Sequence, residues 1–169
     1  MHPSVLLLLL CGWSASSLYQ PPKEIPLLQS KTKSAIIDEM LCLLENEEAP
    51  LDKQLSTPTC IKCTNCACNN TDEFIEQLDK LESPCMKIVK SDMTKLRNNC
   101  TILKKKSAHE NSCKEIRADF PKFRSNLEEF LKWLSQTSSC RNIVRDESDL
   151  DGSSESSCSL LQKYCRDRL

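Results

Sequence analysis

Glycine is nearly missing from this chain: two in 169 residues, Gly12 and Gly152. All-β folds use glycines at their turns, and phosphate-cradling or nucleophile loops are framed by them. Histidine is equally scarce, with only His2 and His109. A Ser-His-Asp triad therefore cannot be assembled convincingly, and neither can a His-containing zinc site. After the first few residues no stretch approaches 18 apolar positions, so no membrane insertion is expected. A net charge of −1 gives no reason to expect nucleic acid. Lys104-Lys105-Lys106 is one short basic run, read as a solvated loop. These absences predict no enzymatic activity and no cofactor. They leave a helical domain as the natural reading.

What is abundant is cysteine, twelve in all. The N-terminus sets their compartment. MHPSVLLLLLCGWSASS has an apolar run from Val5 to Cys11, then Ala15 and Ser17 at signal-peptidase spacing. The run is too short to span a bilayer but suits a leader, although the segment before it carries no Lys or Arg. Residues 1–17 are read as a signal peptide and the protein as secreted and extracellular. In an oxidising compartment dense cysteines are disulfides by default. The candidates are Cys42, Cys60, Cys63, Cys66, Cys68, Cys85, Cys100, Cys113, Cys140, Cys158 and Cys165. Cys60 to Cys68 in CIKCTNCAC is the densest group, and a soft-metal thiolate cluster is its alternative. No metal is expected there. Eleven mature cysteines cannot all pair internally, so a monomer with one spare thiol, or a covalent dimer, follows. Asn69 and Asn99 open N-glycosylation sequons suited to the same compartment.

Four helices can be read. Ile36, Ile37, Met40, Leu41 and Leu44 share one face of the first, over 33–48. Asn70, with Glu73 three residues on, reads as the N-cap of a second over 71–82, faced by Phe74, Ile75, Leu78 and Leu81. Ser83-Pro84 starts a third to about residue 98, carrying Met86, Val89, Met93 and Leu96. Asp119 opens the fourth, over 120–135, with Phe120, Phe123, Leu127, Phe130, Leu131 and Leu134 on its face. About 20 residues precede the second helix and about 20 precede the fourth, with almost none between the second and third. A loop of that length runs the full length of a 15-residue helix, roughly 22 Å. Long, short and long connections suit an up-up-down-down bundle with the first two helices parallel. The predicted fold is thus all-α, a short-chain four-helix bundle with disulfide-stapled crossover loops. Its domain would span 18–136, and a cysteine-containing extension would span 137–169. In that extension CSLLQKYC reads as a short stapled helix.

Two segments carry a family resemblance. Ser34-Ala35-Ile36-Ile37-Asp38-Glu39-Met40 is similar to the S-x-x-I-D-E-I run in the first helix of interleukin-3. Asp119-Phe120-Pro121-Lys122-Phe123-Arg124 through Leu134 resembles its last helix, as D-aromatic-x-x-F-R-x-x-L-x-x-aromatic-L-K-x-L. The likeness covers about residues 30–136 and marks the chain as similar to short-chain haematopoietic cytokines. It implies a growth factor that bridges a private alpha subunit and a shared beta-type signalling subunit to stimulate haematopoietic or immune cells. By the same resemblance Glu39, exposed on the first helix at the edge of its inward arc, meets the shared subunit. Asp38, Asn126, Glu129 and Lys132 face the private one.

The chain departs from the pattern in its cysteines. Lys33 and Ser34 stand where interleukin-3 has a cysteine, and Cys42 comes later in the helix. The cysteine-rich cytokines of the interleukin-4/13 and interleukin-7/9 types are therefore an open alternative, with ENEEAPL after the first helix similar to interleukin-13. A secreted disulfide-rich carrier or a hydrolase is the remaining class.

Overall fold

The computed structural model describes residues 32–48, 52–105, 112–137, 140, 143 and 157–168. The leader 1–17, Lys106, His109, Gly152 and most of the segment joining the fourth expected helix to CSLLQKYC lie outside them. The elements in chain order are α1 (Lys33–Glu45), β1 (Leu55–Pro58), a 3-10 turn (Thr64–Cys66), α2 (Ala67–Asp79) and α3 (Pro84–Asn99). They continue with α4 (Thr101–Lys104), β2 (Glu115–Ala118), α5 (Phe120–Ser135) and α6 (Ser157–Asp167). Among the described residues the chain is thus mainly helical, with one two-stranded sheet.

Side-chain caps start three of the helices, two of them, Ser83 and Asp119, as expected. The Thr32 hydroxyl accepts from the Ala35 amide and Ser83 from Met86, with Pro84 filling the first turn of α3. Asp119 accepts from Lys122 at 2.9 Å at the head of α5. Each satisfies an amide that the helix itself leaves unpaired. The second helix corrects the expectation. It begins four residues earlier, at Ala67, and Asn70 is not its cap but lies inside it. The Asn70 side chain instead donates backward to the carbonyls of Cys60 (2.7 Å) and Ile61 (3.3 Å), tying the preceding loop down. A strong capping residue was drawn off by a tertiary partner.

The core is built from the expected faces. Ile36, Ile37, Met40 and Leu44 are buried with Phe74, Leu78, Met86, Val89, Met93 and Leu96, and with the whole α5 stripe. Phe74 lies 5.8 Å from Phe123 and 5.3 Å from Phe130 between ring centroids, which joins α2 to α5. Leu41 and Ile75 are only partly buried; Leu43, Glu73 and Gln77 go inside instead.

Helix ends meet through polar contacts. The Lys33 ammonium donates to the carbonyls of Leu134 (3.1 Å) and Thr137, placing the start of α1 at the end of α5. Arg124, near the start of α5, reaches the carbonyls of Leu44 and Glu47 at the end of α1. Arg97 pairs with Asp72 at 2.8 Å and Lys90 with Asp79, so late α3 meets early α2 and early α3 meets late α2.

The two long connections hold the sheet. β1 and β2 pair antiparallel, Leu55 opposite Ala118 and Pro58 opposite Glu115. Neither strand shows in the sequence pattern, because four residues are too few for an alternation to stand out. Five disulfides join Cys42–Cys165, Cys60–Cys63, Cys66–Cys113, Cys85–Cys158 and Cys100–Cys140. Cys68 is buried in α2 and takes no part in these five. The CIKCTNCAC cluster is thus mostly oxidised. Cys60–Cys63 staples the first crossover to itself, and Cys66–Cys113 staples it to the second. The stapled helix expected in the extension is α6, pinned at both ends.

Candidate functional site

Two of the sequence-derived residues, Glu129 and Lys132, come together on the outer face of α5. Helical periodicity turns Phe123, Leu127, Phe130, Leu131 and Leu134 inward, which leaves Ser125, Glu129 and Lys132 outside. The loop between β1 and α2 rises against them. The Cys60–Cys63 bridge and the Asn70 amide hold that loop, so Lys62 is presented to Glu129 at 2.8 Å. The hydrogen bond from Lys62, helped by its charge, holds the Glu129 carboxyl below its ordinary value, and desolvation opposes the shift. Lys62, Glu128, Glu129, Lys132, Trp133 and neighbouring residues line a shallow groove of about 300 Å³. A second groove of about 410 Å³ continues past Lys62 and Glu129 to Pro58, Cys60, Ile116 and Lys122. A half-buried tryptophan thus shares a groove with charged side chains of both signs.

Asn126 corrects an expectation. It is buried, and its amide donates to the Thr57 hydroxyl at 3.0 Å, fastening β1 to α5. On the other side of β1, Gln77 accepts from the Ser56 amide at 3.1 Å and Glu73 accepts from the Ser56 hydroxyl. Asn126 therefore belongs to the inside of the fold. Lys132 is exposed, 3.9 Å from Glu128.

Glu39 is the larger correction. It was expected to stand exposed on the first helix, yet only 1% of it reaches solvent. The reason is α6, which packs on α1 and α3. Arg166 donates to the Glu39 carboxylate at 3.0 Å and Gln162 donates at 2.8 Å. Burial pulls the Arg166 guanidinium below its ordinary value, while the charge of Asp92 on α3 acts the other way. Asp38, one residue earlier, stays half-buried and accepts from Ser34 at 3.3 Å. Asp38 and Glu39 are thus neighbours in sequence with separate surroundings.

Both sequon asparagines sit on helices and are half-buried. Asn99 donates to the Lys95 carbonyl at 2.8 Å, and Thr71 of the Asn69 sequon is fully buried, donating to Ala67. Lys62, Trp133, Gln162 and Arg166 were not singled out from sequence. One signal pointed to the last two: Cys158 and Cys165 are seven apart, two helical turns, so any partner they share must lie along one face with Leu161, Gln162 and Arg166 nearby. Among the described residues no helix is long and apolar enough to cross a membrane, and no group of three or more His, Cys, Asp or Glu side chains is placed to hold a metal ion. Comparison with protein-family models, with curated proteins and with solved structures finds no match to this chain.

Proposed function

We propose that this chain is a secreted, interleukin-3-like cytokine that works by bridging two receptor chains and performs no chemistry itself. Its helices α1, α2, α3 and α5 form an up-up-down-down bundle. Support for that topology comes from the direction of the polar contacts. β1 runs against α2, since Ser56 meets Glu73 and Gln77 while Cys60 and Ile61 meet Asn70. It runs along α5, since Thr57 meets Asn126 and Lys62 meets Glu129. Hence α2 opposes α5. The end contacts make α1 oppose α5 and α3 oppose α2. The first two helices are then parallel to each other and opposed to the other pair, as their long crossovers require.

The observation that carries the functional reading is the α5 face, where Glu129, Lys132 and Trp133 line one groove with Lys62 of the neighbouring loop, which pairs with Glu129. Charges steer a partner and select it, while a desolvated aromatic supplies affinity. This face engages the private alpha subunit. The five disulfides fit an oxidising compartment, and they favour the cysteine-rich interleukin-4/13 or interleukin-7/9 type as the second reading.

The test is binding and response with full chain purified from a secretory host. Immobilised ectodomains of the alpha and shared beta-type subunits should bind it, and cells carrying both should proliferate. Binding to ectodomains of the alternative receptor families instead would select the second reading. No binding to any of these receptor chains would end the cytokine reading.

A further inference from the structure

The C-terminal helix α6 has two faces of opposite character. Cys158 and Cys165 are buried, and Gln162 and Arg166 turn toward Glu39. On the other side Leu160 is 64% exposed and Tyr164 is 52% exposed, one helical turn apart. They are two of the three large apolar side chains exposed among the described residues. Lys163 and Arg168 flank them, and Asp167 is the one anion on that face among the described residues. The Arg168 guanidinium lies 5.7 Å from the Tyr164 ring centre and donates to its hydroxyl at 3.4 Å. A helix of 11 residues is marginal alone in water. This one is bolted to α1 through Cys42–Cys165 and to α3 through Cys85–Cys158. Its inward face adds one partly buried leucine, Leu161, to the core. Two covalent clamps therefore hold rigid a helix whose larger apolar groups point to solvent.

From this we infer that the outer face of α6 is a second receptor-docking surface, and that its occupant is a receptor ectodomain presenting an apolar cleft edged by carboxylates. The inference rests on the receptor-bridging reading above and supplies the second of the two surfaces that bridging requires. Tyr164 and Leu160 fill the cleft, and Lys163 and Arg168 meet its acidic rim. Clamping removes the ordering cost that a loose helix would incur on binding. A second copy of this chain is a poor occupant: two-fold contact would set the cations of one α6 against those of the other. A membrane is poorer still. Two cations beside one leucine and one tyrosine fall well short of a stable anchor.

The experiment uses the full chain from a secretory host and immobilised alpha and beta-type receptor ectodomains. Leu160→Ala combined with Tyr164→Ala should lower affinity for the beta-type chain by about thirty-fold or more, as loss of a central aromatic anchor does. Affinity for the alpha chain, which the α5 face engages, should stay within about two-fold, and circular dichroism should be unchanged. A loss confined to the alpha chain would overturn the proposal. In the beta-type arm the charges are tested separately. Lys163→Glu with Arg168→Glu, both exposed, should slow association with that same chain and flatten its salt dependence. Parent-like binding of both variants to both chains would overturn the α6 surface while leaving the cytokine reading intact. A parent that binds no receptor chain would overturn both. Two controls decide against other occupants. A parental dimer that the apolar variant dissolves, or parental binding to phosphatidylserine vesicles that it abolishes, would each refute the receptor assignment.

Discussion

Arg166 reaches from the far end of the chain to Glu39, separated from it by 127 positions, and donates to its carboxylate at 3.0 Å. The Glu39 side chain is 1% exposed and that of Arg166 is 26% exposed. A carboxylate at that depth is stable only while it is paired. The pair and the two bridges of α6 therefore form one device: the bridges bring the cation, and the cation permits the burial.

Removing half of the pair should be costly. Arg166→Ala should lower unfolding free energy by about 2–3 kcal/mol, somewhat less than for a wholly buried pair because water reaches the guanidinium. Replacing both, with Glu39→Met and Arg166→Met, should recover most of that loss. Urea titrations of Arg166→Ala, and of the parent, Glu39→Met, Arg166→Met and their combination as a double-mutant cycle, check this. An Arg166→Ala variant within about 0.5 kcal/mol of the parent would contradict it.

Asn126 and Lys132 lie on one helix and should behave oppositely. Asn126→Ala leaves the buried Thr57 hydroxyl without its donor, and stability should fall by about 1–3 kcal/mol with receptor affinity little changed. Lys132→Ala touches an exposed side chain, so its stability should stay within about 0.5 kcal/mol while alpha-subunit binding weakens. Melting curves and binding isotherms on the two variants separate the roles.

Glu115 carries a pH dependence. Desolvation comes first, then the charge of nearby Glu73 and a shared hydrogen bond, and together they raise its carboxyl above the ordinary value of 4.5. An acid raised in the folded state contributes stability below its unfolded value, and that contribution is lost as pH rises through the folded value. Glu115→Gln should therefore raise the melting temperature at pH 7 and lose that advantage near pH 4. Equal gains at both values would point to a cause other than charge.

The disulfides should differ in weight. Cys60 and Cys63 are separated by three positions, Cys42 and Cys165 by 123. Loop-closure entropy gives the short bridge about 2 kcal/mol, and the long one more. Paired serine replacements should show that order in thermal melts. The short pair should cost more in alpha-subunit affinity than in stability, because its loop carries Lys62 to Glu129.

The sequence by itself determined the local chemistry. Helix faces such as Phe120 to Leu134, the caps Ser83 and Asp119, the sparse glycine and the dense cysteine each depend on neighbours a few residues away, so periodicity and capping rules reached them. The stapled terminal helix was legible for the same reason, since two cysteines seven apart share a helical face. Tertiary structure decided what depends on distant partners. Asn70 left its expected cap because two loop carbonyls offered its amide better partners, and Asn126 turned inward because Thr57 arrived beside it. Glu39 has the pattern of a helix-edge carboxylate in any window of its own helix. Only the return of Arg166 and Gln162, more than 120 residues later, made it an interior charge. Burial of a polar group is a pairwise property, and the second member of each of these pairs lies outside the range over which a local pattern can be read.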